Sequence, residues 1–225
     1  MKAFQALLQY EEPAGSLADE AYRSLLEQII TLQRLPGEVL SEEELRGQLG
    51  MGRTPIREAL QRLAADRLVV VLPRRGTLVS EMNILDLGAI YEIRAPLEGL
   101  AARLAAQRYP GDEVPATVTA ELADLATIDD WVQLIAIDRR LHKMVYRLAK
   151  NPYLEDNLER YLNLSARIVL AAIQRLASPP TQELVDAIGE FRGIFAAIAA
   201  GDPRQAEELA RHHTGFGETM IRAVV

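Results

Sequence analysis

The chain has 225 residues, 49% of them hydrophobic and 25% charged, with a formal net charge of −7 and no cysteine. Disulfides and thiolate metal sites are therefore excluded, and no apolar run reaches the roughly 18 residues of a membrane span. The first residues, MKAFQALLQYEEPAG, turn acidic at once and offer no small-residue cleavage site, so no secretory signal and a cytoplasmic location are expected.

In chain order, residues 16–33 read as a helix. Ser16 can cap it, Asp19 can close the capping box, and Ala21, Leu25, Ile29 and Leu32 keep helical spacing. Pro36-Gly37 ends it. Ser41-Glu42-Glu43-Glu44 is a second capping box opening a short helix, and Gly50-Met51-Gly52 is a tight turn. A third helix is expected over about 53–66, with Pro55 in its first turn and Ile56, Ala59, Leu60 and Leu63 inward. The period then changes. Leu68–Leu72 and Thr77–Val79 read as two strands around the turn Pro73-Arg74-Arg75-Gly76, a hairpin wing. From Asn83 on, only helical signals appear, in six segments: 83–108, 113–127, 129–149, 152–176, 181–199 and 203–222. The expectation is a mainly α chain: a winged helix-turn-helix domain over residues 1–80, then an all-helical bundle over 83–225.

Charge is unevenly spread. From Arg46 to Arg75 seven Arg face only Glu58 and Asp66, a balance of +5; from Glu81 onward 15 basic and 21 acidic residues give −6. A basic module joined to an acidic one points to a polyanion partner for the first half. On the third helix Arg53, Thr54, Arg57 and Gln61 share the face opposite the core stripe. Helix, turn and helix place such a face in the major groove, where Arg can bond guanine O6 and N7. Arg74, Arg75 and Gly76 at the hairpin tip would follow the phosphate backbone or enter the minor groove. Double-stranded DNA is thus the expected partner.

The stretch LRGQLGMGRTPIREALQRLAADRLVVVLPRRGTLV, residues 45–79, resembles the winged helix-turn-helix signature of GntR-family bacterial transcription regulators. LGAIYEIRAPLEGLAARLAA, from residue 87, resembles the opening of the FCD-type effector domain of the FadR-like branch. The resemblance implies DNA contacts at Arg53, Thr54, Arg57 and around Arg74–Gly76, and a homodimer on a short inverted repeat. One position used for DNA in some members falls on Glu43, whose carboxylate cannot bond phosphate favourably, so that contact is not carried over.

Inside the bundle, spacing puts polar residues on apolar stripes. Asp138 and His142 sit among Trp131, Leu134, Leu141, Val145 and Leu148, and His213 among Ala206, Leu209, Phe216 and Met220. Arg94 lies with Leu87, Ile90, Leu97, Ala101 and Leu104, and Ser165 with Leu154, Leu158, Tyr161, Ile168 and Ala172. Buried groups of this kind need partners. A divalent metal site (zinc, nickel or manganese), a pocket holding a small carboxylic acid through Arg94, and an internal salt-bridge network all fit the spacing. The resemblance implies one Asp and three His around a metal. Asp138, His142 and His213 match; the third His position holds Phe191, which cannot ligate, so either three protein ligands with waters or an effector carboxylate hold the ion, or the site has lost its metal and Phe191 packs against an apolar effector. Arg94, Ser165 and Phe191 are therefore the candidate effector contacts. An effector-responsive regulator is the reading carried forward. A metal-dependent enzyme lacks a nucleophile motif and a phosphate-binding glycine loop, and a ligand-free scaffold would use these polar residues only to pair with one another.

Overall fold

The computed structural model describes residues 15–83, 85–109, 113–174 and 181–224; for 216–224 it describes the helical backbone alone. Expectations that fall on residues 1–14, on the breaks at Pro110-Gly111 and Ser178–Pro180, and on the Phe216 and Met220 side chains lie outside these. The chain divides into two compact units, the second beginning at Leu85.

In the first unit, α1 (Leu17–Ile30) starts at the Ser16–Asp19 capping box, with Asp19 N donating to Ser16 Oγ and Ser16 N to Asp19 Oδ2. It buries Ala21, Leu25, Leu26, Ile29 and Ile30. After β1 (Val39–Leu40), α2 (Glu42–Leu49) is capped by Ser41 and ends at Gly50, whose φ of 66° is the left-handed conformation glycine tolerates. α3 (Arg53–Ala65) buries Ile56, Ala59, Leu60 and Leu63. β2 (Val69–Leu72) and β3 (Gly76–Val79) pair antiparallel, Val69 opposite Val79 and Leu72 opposite Gly76. The wing has a third strand that the sequence pattern did not reveal: Val39 and Leu40 pair with Leu78 and Thr77. Two residues are too short for any period, and their partner lies far along the chain.

The second unit is helical: α4 (Leu85–Arg108), α5 (Ala116–Ala123), a 3-10 turn (Leu125–Thr127), α6 (Trp131–Leu148), α7 (Pro152–Ile173), α8 (Thr181–Gly189), α9 (Phe191–Ala200) and α10 (Pro203–Val224). Asp130 and Asn151 cap α6 and α7. Three local expectations are corrected. The segment 113–127 is a short helix and a 3-10 turn, not one helix. The segment 181–199 is two helices, because Glu190 is overwound into i→i+3 bonds (Glu190 N to Ala187 O, Gly193 N to Glu190 O) between the weak helix formers Gly189 and Gly193. On α4 the buried stripe runs through Tyr91, Arg94, Glu98, Ala102 and Ala105, while Ile90, Leu97 and Leu104 are only half-buried. The reason is the approach of α10: a Cβ on Gly99 would lie 2.5 Å from Arg211 Cγ, so the helix is covered on two sides.

Candidate functional site

The DNA-facing candidates are built by α3 and the wing. Arg53, Thr54, Arg57 and Gln61 are all exposed on the side of α3 away from its apolar stripe, and Arg74, Arg75 and Gly76 are exposed at the hairpin tip. Arg74 (φ 65°) and Gly76 (φ 85°) both take left-handed backbone there. The basic island is not uniform. Arg62 bonds Asp19 at 2.5 Å and lies over the Tyr22 ring at 4.2 Å, so it braces α3 against α1. Arg57 pairs with Glu42 of α2, a partner that sequence reasoning missed. The N-cap of α3 is Gly52, which supplies no capping side chain, so the first-turn N–H groups lack a side-chain acceptor.

The second candidate lies inside the helical unit. Asp138 and His142 on α6 meet His213 on α10, one ligand atom of each within 4.8 Å of the others. His142 Nε2 is 3.6 Å from Asp138 Oδ2, and His213 Nε2 is 3.6 Å from Asp138 Oδ1. Both imidazoles are backed by a carboxylate: His142 Nδ1 donates to Glu98 Oε2 and His213 Nδ1 to Glu190 Oε2, each at 3.1 Å. That arrangement turns both Nε2 atoms toward Asp138. Phe191 sits edge-on to both rings, its centroid 5.0 Å from His142 and 4.5 Å from His213.

Arg94 adjoins the same cluster. Its Nη1 donates to Ser165 Oγ at 2.7 Å, and its Nη2 to Glu98 Oε1 at 2.8 Å and toward His142 Nε2 at 3.5 Å. Its Nε is buried without a hydrogen-bond partner, which leaves one donor unsatisfied in the wall of the pocket. Glu98 and Tyr146 complete the network, the Tyr146 hydroxyl donating to Glu98. Burial alone would raise the Glu98 carboxyl, but the His142 and Arg94 charges outweigh it and hold it at about 2. Burial would lower His213; hydrogen bonds to Asp138 and Glu190 overcome it and raise the imidazole to about 9. Asp138, whose side chain is 29% exposed, is lowered: desolvation would raise it, but the neighbouring His142 and the His213 hydrogen bond outweigh that.

The cavity over this floor holds about 610 Å³ of space, part of it open to solvent. Its lining combines polar side chains (Arg94, Asp138, His142, Ser165, His213, Thr214) with aliphatic ones (Leu162, Val169, Leu184, Ile188 and neighbours). Spacing therefore pointed to the residues that meet. It missed Glu98, although Arg94 and Glu98 are an i,i+4 pair legible in the sequence, and Glu190, which a continuous 181–199 helix had no reason to aim inward.

Residues 17–79 match the family described as bacterial regulatory proteins, gntR family, and residues 89–216 match the FCD domain. The chain belongs to the GntR family of regulators, in its FCD-bearing branch. This GntR-family regulator is 34% identical over 183 residues to a probable D-xylose utilization operon transcriptional repressor of Paenarthrobacter nicotinovorans, with 80% of this chain and 78% of that one covered. It is 30% identical over 207 residues to the HTH-type transcriptional repressor GlaR of Escherichia coli, with 86% and 90% covered. Among solved structures, E. coli McbR/YncC superposes with a TM-score of 0.74 at 25% identity over 93% of this chain and 98% of that one. The protein is thus a DNA-binding transcription regulator carrying an effector domain, and its relatives are named as regulators and repressors rather than enzymes. Among the described residues, no helix is long and apolar enough to cross a membrane.

Proposed function

We propose that the regulator binds an inverted-repeat operator in the cytoplasm as a homodimer, and that a small carboxylic acid in the FCD cavity sets its DNA affinity. In this reading residues 1–80 read DNA and residues 83–225 bind effector and dimerise. Arg53, Thr54, Arg57 and Gln61 enter the major groove, and Arg74, Arg75 and Gly76 follow the backbone. The observation that carries the effector half is the convergence of Arg94, Ser165 and two carboxylate-backed imidazoles on one cavity. Metal analysis of the purified protein, with a thermal-shift screen of short-chain carboxylic acids, tests it. Finding no bound metal and no acid-induced shift would overturn it.

The donor set suits zinc, nickel or manganese: Asp138, His142 and His213 would hold the ion, and the carboxylates behind each Nδ1 orient the rings. A bound ion would supply a Lewis-acidic contact for the effector carboxylate. Two features of the site weaken retention. Arg94 Nη2 brings a cation to 3.5 Å from His142 Nε2, and Phe191 fills the place of a further imidazole. Phe191→His is therefore expected to raise metal affinity by on the order of 10- to 100-fold, read by competition with a chelating dye; no gain would mean that the ring cannot reach the ion.

His213 also makes metal binding depend on pH. With its imidazole at about 9, the proton must leave before the nitrogen can ligate. Metal affinity is expected to fall about tenfold for each unit that pH drops between 8 and 6, because the proton competes throughout that window. A flat isothermal-titration profile over this range would contradict it.

On the DNA side, Arg57→Ala is expected to lower operator affinity by about 1–3 kcal/mol with the fold intact. Unchanged binding in an electrophoretic shift assay would remove Arg57 from the reading face.

A further inference from the structure

Glu42 opens α2 and reaches across to α3. Both of its carboxylate oxygens take the Arg57 Nε–H, at 2.9 Å from Oε1 and 3.0 Å from Oε2. The two side chains are 57% and 38% exposed, and a pair so open to water adds little to stability. Its place on the surface is also unexpected, because a carboxylate beside a DNA-facing helix repels phosphate. The geometry gives it another use. The pair ties down Nε alone, and Arg57 Nη1 and Nη2 have no partner among the described residues. An unrestrained guanidinium grips phosphate as readily as a base, whereas one held by Nε presents its terminal fork to a paired acceptor such as guanine O6 and N7.

We propose that Glu42 is a positioning residue for sequence reading: it aims the free fork of Arg57 at a base edge and, by its charge, makes the same surface less attractive to phosphate. The inference rests on the proposed reading of Arg57 as a base contact. It predicts that Glu42 contributes specificity while lowering overall affinity, the opposite of what a phosphate-binding residue does.

The test uses the full chain. Selection from a randomised duplex library with the wild-type protein yields a preferred duplex, which is then paired with a scrambled duplex of equal composition. Fluorescence anisotropy at one salt concentration gives both affinities for wild type, Glu42→Gln, Arg57→Ala and the double variant. Glu42→Gln is expected to bind the scrambled duplex several-fold more tightly while the preferred-to-scrambled ratio falls about tenfold, and to leave the ratio unchanged when Arg57 is already Ala. If Glu42→Gln strengthens both duplexes equally, Glu42 only repels phosphate and the inference fails. If it lowers the ratio as much in the Arg57→Ala background, it acts through another residue and the inference fails. If Arg57→Ala itself leaves the ratio intact, the base-reading role of Arg57 fails first, and Glu42 has nothing to position.

Discussion

Glu98→Ala is expected to destabilise the helical unit by about 3–5 kcal/mol. Glu98 is buried on α4 and accepts from Arg94, His142 and Tyr146, so removing it strands a guanidinium, an imidazole and a phenol in the interior. The larger part of the loss comes from Arg94, which is 4% exposed and cannot shed its proton to escape burial. Urea unfolding followed by tryptophan fluorescence measures this unit directly, because the only tryptophan, Trp131, opens α6. Arg94→Leu combined with Glu98→Leu is expected to cost less than Glu98→Ala, since both charges leave together. A loss under about 1 kcal/mol for Glu98→Ala would mean that water reaches the network and that the site is softer than its geometry implies.

DNA binding is expected to weaken about 10³-fold between 50 and 200 mM salt. The chain as a whole is acidic, at −7, so attraction to duplex has to come from the local basic face. Arg53, Arg74 and Arg75 are exposed, and none of them forms an ion pair among the described residues; doubled in a homodimer they would neutralise roughly six phosphates, for a log–log slope near −5. Arg62 is left out of that sum because Asp19 and Tyr22 already hold it. Arg74→Ala should reduce the slope by about two units, one per protomer, and weaken all sequences alike. A slope near zero in anisotropy titrations would mean that the arginines do not meet phosphate.

Much of the DNA-reading unit was legible because its determinants are local. Ser16 and Asp19 are three residues apart, Ser41 stands directly before its helix, and Ile56, Ala59, Leu60 and Leu63 declare a 3.6-residue period. Each of these acts within a turn or two of chain. β1 was not legible, because Val39 and Leu40 become a strand only through pairing with Leu78 and Thr77. The same division runs through the candidate site in the helical unit. Spacing alone placed Asp138, His142, His213, Arg94 and Ser165 inward, and the match to a known signature singled out Phe191. What converts them into a site is the set of carboxylates behind them. Glu98 faces His142 from another helix, and Glu190 reaches His213 only because the backbone tightens between Gly189 and Gly193.

By itself, then, the amino-acid order determined the helices, their caps, the wing hairpin, the exposed arginine face of α3 and the family, since periodicity, capping and short motifs are properties of neighbours along the chain. Only the tertiary structure decided which of the other charges are committed and which are free: Arg62 to Asp19, Arg57 to Glu42, and each imidazole to its own carboxylate. Those pairings join residues distant in sequence, and they depend on how closely helices approach, as where Gly99 admits Arg211, which no local pattern encodes.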